Sequence, residues 1–143
     1  MTDFHITTNR AELNIPLIHQ FLSEQSYWAK GIPLTTVARS IDHSLCFGGF
    51  IGTAQIAFAR VISDYATFAY LGDVFVMPAY RGKGYSKRLM EAIDVHPELQ
   101  GLRRFMLVTS DAQGLYERFG FVATREPPSV MTRNKLNLYQ PKG

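Results

Sequence analysis

A glycine-bearing turn between an apolar run and a helix-forming segment constrains this chain most strongly. Residues 74–86 read VFVMPAYRGKGYS, and the helix-forming stretch KRLMEAI follows directly. Glycines allow positive φ and a close approach of the backbone to a ligand. The free N–H groups at a helix N-terminus attract anions. The pattern therefore predicts a strand, a turn and a helix that together bind a phosphate group.

The spacing within this turn excludes two common phosphate-binding motifs. A Walker A loop needs G-x-x-x-x-G-K-[ST], and no such run occurs in the chain. The dinucleotide fingerprint needs a third glycine after Gly82 and Gly84, where this sequence has none. The turn instead fits R-x-x-G-x-[GA], with Arg81 and Gly84 in place and Ser86 at the last position. It resembles the acetyl-CoA pyrophosphate motif of the GNAT N-acetyltransferase superfamily.

A second segment strengthens this resemblance. Residues 104–121 read RFMLVTSDAQGLYERFGF, which predicts a strand and then a short helix with the pattern A-x-x-L-Y-x-x-F-G-F. This is similar to the second signature of the superfamily, in which a tyrosine approaches the CoA sulfur; here that residue is Tyr116. Thr109 stands where many members carry Asn. The alternative is that Tyr116 only contributes to the core face of an amphipathic helix that ends at Gly120.

The elements predicted along the chain give one domain, 1–143, of the mixed α/β class. Strands are predicted at 4–8, 43–50, 53–62, 66–77 and 104–109, from Phe121 onward and near Val130, and helices at 10–23, 35–41, 84–95 and 112–119. The resemblance implies a GNAT-like central sheet, mixed and partly antiparallel, with helices on both faces. It also implies that the parallel fourth and fifth strands splay apart.

The same resemblance implies a cofactor site along the fourth strand and the turn. The pantetheine arm of acetyl-CoA would lie between the splayed strands and pair with backbone groups of Phe75, Val76 and Met77. The remaining expected contacts are Arg81, Gly82, Lys83, Gly84, Tyr85, Ser86 and Ala112. Six basic and three acidic residues lie between Arg81 and Arg104, a surplus that suits the phosphates of CoA.

The implied reaction is transfer of an acetyl group from acetyl-CoA to a primary amine by direct attack through a tetrahedral intermediate. Tyr116 is the candidate general acid for the departing thiolate, because a phenol with a pKa near ~10 is protonated at neutral pH. Asp73 on the fourth strand is the candidate base. Two alternatives stay open for the base: Asp73 could bond only to backbone, or a water chain could carry the proton.

The loop between the first two helices is expected to cover the acceptor, and it contains Tyr27, Trp28 and Lys30. Trp28 could stack on the amine or fill a gap in the core. Lys30 disfavours a polyamine because like charges would meet. Peptide N-termini, lysines, aminoglycosides and small metabolite amines all stay open as acceptors.

Composition limits the other classes of function. No apolar run approaches the ~18 residues of a membrane span, and the N-terminus lacks the apolar core of a signal peptide, so we expect a cytoplasmic protein. The single cysteine and four scattered histidines predict no metal site. The basic zone is too short to predict nucleic-acid binding. A non-catalytic acyl-CoA-binding regulatory module stays open as the alternative function, and a homodimer as the assembly.

Overall fold

The computed structural model describes residues 3–124, 130–135 and 137–141. Within them, five strands form one sheet in the order β1-β2-β3-β4-β5. The strands are β1 (Phe4–Thr7), β2 (Leu45–Ile51), β3 (Ala54–Ser63), β4 (Phe68–Val76) and β5 (Arg104–Leu107). Neighbours from β1 to β4 are antiparallel, whereas β4 and β5 are parallel. The predicted mixed, partly antiparallel sheet is confirmed.

Helices cover both faces of this sheet, as predicted. They are α1 (Ile15–Gln20), α2 (Leu34–Asp42), α3 (Tyr85–Asp94) and α4 (Gln113–Glu117). On one face, α3 buries Leu89, Met90 and Ile93 against the sheet. On the other face, α1 and α2 enclose a second apolar cluster that includes Phe58 and Phe75. Strand side chains alternate between the two faces, so the strands supply both clusters.

The predicted helix 10–23 is divided in the structure. A 3-10 turn at Arg10–Glu12 is followed by α1, and a π-helical segment at Phe21–Gln25 continues it. The Asn14 side chain accepts a hydrogen bond from the N–H of Leu17, which makes it the N-cap of α1. The continuous apolar periodicity therefore covers two separate helical segments. The second begins after its cap, Asn14, because asparagine favours a cap over a helix interior.

A β-bulge interrupts β4 beside the end of the strand that leads into the glycine turn. The register pairs Phe58 with Phe75 but Arg60 with Gly72, so β4 carries one extra residue there. Asp73 occupies the bulge at φ +53, a left-handed conformation that is uncommon for a non-glycine residue. The bulge turns the Asp73 side chain away from the regular alternation of the strand.

The parallel strands β4 and β5 separate along their length. Their register runs from Phe68 with Arg104 to Leu71 with Leu107, where β5 ends. Strand β4 continues to Val76 without a ladder partner on that side. The predicted splay is thus present as a gap beside the second half of β4.

The last two predicted strands are wrong for the part of the chain that can be described. Phe121–Thr124 and 130–135 form no strand, and 125–129 lie outside the described residues. Gly120 at φ +88 ends α4, and the N–H of Phe121 donates to the Tyr116 carbonyl. This is the Schellman arrangement, so the chain after α4 uses its backbone groups to close the helix instead of joining β5.

Candidate active site

The glycine turn between β4 and α3 has the geometry of an anion site. Gly82 and Gly84 adopt φ +76 and +82, and a Cβ placed on either would meet nothing within 4 Å. Gly84 immediately precedes α3, whose first-turn N–H groups have no intrahelical acceptors. The positive end of the helix dipole and the open space above the glycines therefore face the same volume.

A cleft of about 350 Å³ opens at this turn. It is lined by Val76, Tyr80, Arg81, Gly82, Gly84, Tyr85, Ser86, Lys87, Leu115 and Arg118. Six of these ten positions were predicted from the sequence as cofactor contacts. The turn thus faces the end of α4 across a basic cleft that opens at the β4–β5 gap.

Not every predicted contact reaches this cleft with its side chain. Tyr85 is buried and stacks on Phe4 with ring centroids 4.4 Å apart, so only its backbone faces a ligand. Lys83 lies 6.0 Å from the Tyr80 ring centroid and does not line the cleft. The N–H of Ala112 donates to Thr109 Oγ1 at 3.1 Å, so Thr109 helps to start α4.

Of the three residues predicted to pair with the pantetheine arm, one directs its backbone N–H toward the gap beside β4. Met77 donates its N–H to Ile56 and accepts at its carbonyl from Tyr80, so both groups are occupied. Phe75 pairs with Phe58 and by alternation directs its backbone groups to β3. Val76, between them, directs its N–H into the gap. Its carbonyl accepts a 2.9 Å hydrogen bond from Arg81 Nε, which fixes the arginine at the edge of the cleft.

Sequence reasoning missed four residues of the cleft: Tyr80, Lys87, Leu115 and Arg118. Leu115 and Arg118 are three residues apart, so they lie on one face at the end of α4. The sequence shows this spacing, but whether the two side chains face the cleft depends on how α4 packs against the rest of the protein. Arg118 places a further cation beside the cleft that Arg81 also lines.

Tyr116 lies on α4, in the sequence between the cleft residues Leu115 and Arg118, and is only 8% exposed. Burial raises the pKa of its phenol above the ordinary value of 10.0, with smaller contributions from Asp111 and Tyr27. The hydroxyl is therefore protonated throughout the neutral range. The influence of Tyr27 also places the loop before α2 near this phenol.

That loop reaches across to the end of β5. The Tyr27 hydroxyl and Ser110 Oγ lie 2.9 Å apart, and the Tyr27 ring meets Trp28 edge-on. Trp28 is 45% exposed, which excludes the core-filling alternative. Both predicted acceptor residues thus stand at the surface, in the loop that approaches Tyr116.

Asp73 is held by two partners in the same region. Trp28 Nε1 donates to Asp73 Oδ1 at 2.9 Å, and Arg60 Nε donates to Asp73 Oδ2 at 2.8 Å. The Arg60–Asp73 ion pair is largely buried, at 18% and 12% side-chain exposure. Asp73 therefore bonds to side chains, and not only to backbone. Its hydrogen bond from Trp28 connects the bulge to the loop that carries Trp28.

The residues that the structure describes form neither a metal centre nor a membrane-spanning helix. Among residues 3–124, 130–135 and 137–141, no cluster of three His, Cys, Asp or Glu side chains could hold a metal ion. Across the same stretches, no helix has both the length and the apolar character that a membrane crossing requires.

Comparison with known proteins identifies the family. Residues 15–121 match the family described as acetyltransferase (GNAT) family. The chain therefore belongs to the GNAT acetyltransferase family. A protein of Gibberella zeae that carries the name of an acetyltransferase is 29% identical over 136 residues, which cover 80% of this chain and 76% of the relative.

Solved structures agree with this assignment. A GNAT-family protein from Xanthomonas campestris pv. campestris is 60% identical, with a TM-score of 0.95 and 99% of each chain covered. A predicted acetyltransferase from Clostridium acetobutylicum, solved with acetyl-CoA, is 16% identical, with a TM-score of 0.65 and coverage of 94% and 96%. At that identity, the second comparison shows the fold alone.

Proposed function

We propose that this protein is an N-acetyltransferase that moves an acetyl group from acetyl-CoA to a primary amine. One observation carries the proposal: the glycine turn before α3, Val76 at the end of β4, and Leu115 and Arg118, which flank Tyr116 in the sequence, line a single basic cleft. That arrangement suits a long donor with a diphosphate at one end and a thioester at the other. The acetyl-CoA bound to the fold relative from Clostridium acetobutylicum is consistent with it.

The donor would be held first by charge and then by backbone. Its diphosphate meets the N–H groups at the start of α3, with Arg81, Lys87 and Arg118 around it. Its pantetheine arm enters the gap, where the Val76 N–H is directed. Pairing with an unpartnered strand edge is an established way for an extended ligand to bind.

Acetyl transfer then proceeds by one attack and one departure. The neutral amine nitrogen attacks the thioester carbonyl carbon and forms the carbon–nitrogen bond, while the carbonyl electron pair moves to oxygen, where a backbone N–H of β4 is a candidate donor. Collapse of this intermediate restores the carbonyl and breaks the carbon–sulfur bond. The departing thiolate takes the phenolic proton of Tyr116, and the new amide nitrogen loses its extra proton to a base.

Asp73 is the carboxylate in this region that we propose for the proton of the amine, directly or through water. Its two oxygens already accept from Trp28 and Arg60, and taking up a proton would weaken the ion pair with Arg60. This cost is the same by either route, so a water chain that carries the proton to solvent is the alternative, with Asp73 then orienting Trp28 in the acceptor wall.

The experiment is thiol release from acetyl-CoA across a panel of primary amines, with mass spectrometry of the amine. We expect release that depends on the amine and matches the acetylated product mole for mole. Cys46 does not disturb the thiol assay, because it is buried and burial raises its pKa to about 12. A protein that binds acetyl-CoA but acetylates no amine would instead be a binding module.

A further inference from the structure

A second cleft, of about 380 Å³, lies beside the loop that carries Tyr27. It is lined by Tyr27, Trp28, Lys30, Lys135, Asn137, Leu138, Tyr139 and Gln140. No residue lines both clefts. Tyr27, which lines the second cleft, also contacts Ser110 after β5, three residues before the start of α4.

The walls of this second cleft are packed against each other. Gly31 adopts φ +83, and a Cβ at this position would lie 2.5 Å from the Tyr139 carbonyl oxygen. Only a glycine permits this approach of the chain around Tyr139 to the loop. The Gly31 N–H also donates to the Ser23 carbonyl at 2.9 Å, which anchors the loop to the segment after α1.

The lining is positively charged. It contains Lys30 and Lys135 and no carboxylate. Within the described parts of the chain, neither lysine has an ion-pair partner. The nearby Asp73 carboxylate is already paired with Arg60, so it leaves the charge of the two lysines uncompensated. Asn137 and Gln140 add neutral hydrogen-bonding groups.

We propose that the second cleft binds an anionic group on the acceptor, so that the substrate is a primary amine that also carries a carboxylate or a phosphate. This inference rests on the proposed N-acetyltransferase activity. The anion would lie between Lys30 and Lys135, and the amine would pass Tyr27 and Trp28 toward the thioester. The two lysines repel a protonated amine, which orients the acceptor with its amine toward Tyr116.

The test uses matched pairs of amines: an amino acid with its carboxamide, and an amino sugar phosphate with the unphosphorylated amino sugar. In at least one pair, we expect the amine that carries the carboxylate or phosphate to have a KM about tenfold or more below the KM of its partner without that group. Charge-assisted hydrogen bonds are the stronger kind. The pair that shows the preference distinguishes a carboxylate from a phosphate.

Substitutions then assign the preference to the cleft. Lys30→Ala and Lys135→Ala should each raise KM about tenfold for the amine that carries the anion, and should not raise KM for its partner without the anion or for acetyl-CoA. Lys30→Arg should restore most of the preference. Arg39→Ala, which removes a cation of α2 outside both clefts, is the matched control.

Equal KM values for the amines with and without the anionic group would overturn this inference and leave the proposed function intact. A variant with both Lys30→Ala and Lys135→Ala that keeps the preference of the parent would also overturn the inference and leave the proposed function intact. Absence of acetylation of every amine would overturn both the inference and the function on which it rests.

Discussion

At the scale of single residues, Tyr116 combines a packing role with the chemical role that we propose for it. Its ring meets Phe121 edge-on with centroids 6.2 Å apart, and its backbone N–H bonds to Ala112. The position therefore serves the core of α4, as the simpler interpretation of the sequence required. Burial also raises the pKa of the phenol, which keeps a proton available beside the gap at neutral pH.

Replacing Tyr116 by Phe should separate these two roles. The variant keeps the ring, so we expect a nearly unchanged melting temperature and acetyl-CoA KM. Loss of the general acid should lower kcat by about 100-fold. Steady-state kinetics at saturating amine measures this change.

The pH profile adds a check with a definite sign. Because the pKa of Tyr116 is raised above 10.0, the decline of the parent rate that comes from loss of the phenolic proton should begin later than for an ordinary tyrosine. The Phe variant should lack this high-pH decline. A variant within about threefold of the parent rate would show that Tyr116 only packs.

At the scale of elements, the loop between α1 and α2 depends on long-range contacts. The Trp28–Asp73 hydrogen bond joins residues 45 positions apart, and the Tyr27–Ser110 contact joins residues 83 apart. Both contacts start in the loop, and they end on β4 and after β5, on the two sides of the gap. The loop is thus positioned by the same strands that would hold the donor.

Replacing Trp28 by Phe should loosen this loop without disturbing the core. The variant keeps an aromatic ring but cannot donate to Asp73, and Trp28 is 45% exposed, so the melting temperature should change little. We expect acceptor KM to rise about five-fold, in line with loss of one partly exposed charged hydrogen bond, and acetyl-CoA KM to stay constant.

Asp73→Asn is the useful companion variant, since an amide oxygen can still accept from Trp28. Asp73→Asn also alters the ion pair with Arg60, so its melting temperature is measured alongside. A fall in kcat at an unchanged melting temperature, absent from Trp28→Phe, would support proton transfer by Asp73. A large drop in melting temperature for Trp28→Phe would contradict the surface role of Trp28.

At the scale of the whole molecule, local patterns predicted the sheet and the turn well. The apolar runs of β2 to β4 and the glycines at 82 and 84 determine structure over a few residues, where propensity and positive φ act directly. The segment after α4 was predicted incorrectly because Phe121 bonds back to Tyr116 in the Schellman closure at Gly120, a local motif that competes with a strand.

The contacts that were missed are long-range. The sequence around Asp73 does not predict its partners. They are Arg60 and Trp28, which come from two other parts of the chain. The second cleft also depends on Tyr139 packing on Gly31, more than 100 positions apart in the sequence. Such sites become visible only once the chain is folded.

The central claim is that the turn before α3 holds the diphosphate of acetyl-CoA, and calorimetric titration of CoA tests it most directly. Gly84→Val places a β-branched side chain in the space above the turn and strains a φ of +82. Gly101→Val is the matched control, because Gly101 has φ +72, nothing within 4 Å of its Cβ position, and no part in the cleft. We expect Gly84→Val to weaken CoA binding about 100-fold or more through loss of charge-assisted contacts, while Gly101→Val binds like the parent. A folded Gly84→Val protein that binds CoA as tightly as the parent would contradict the account.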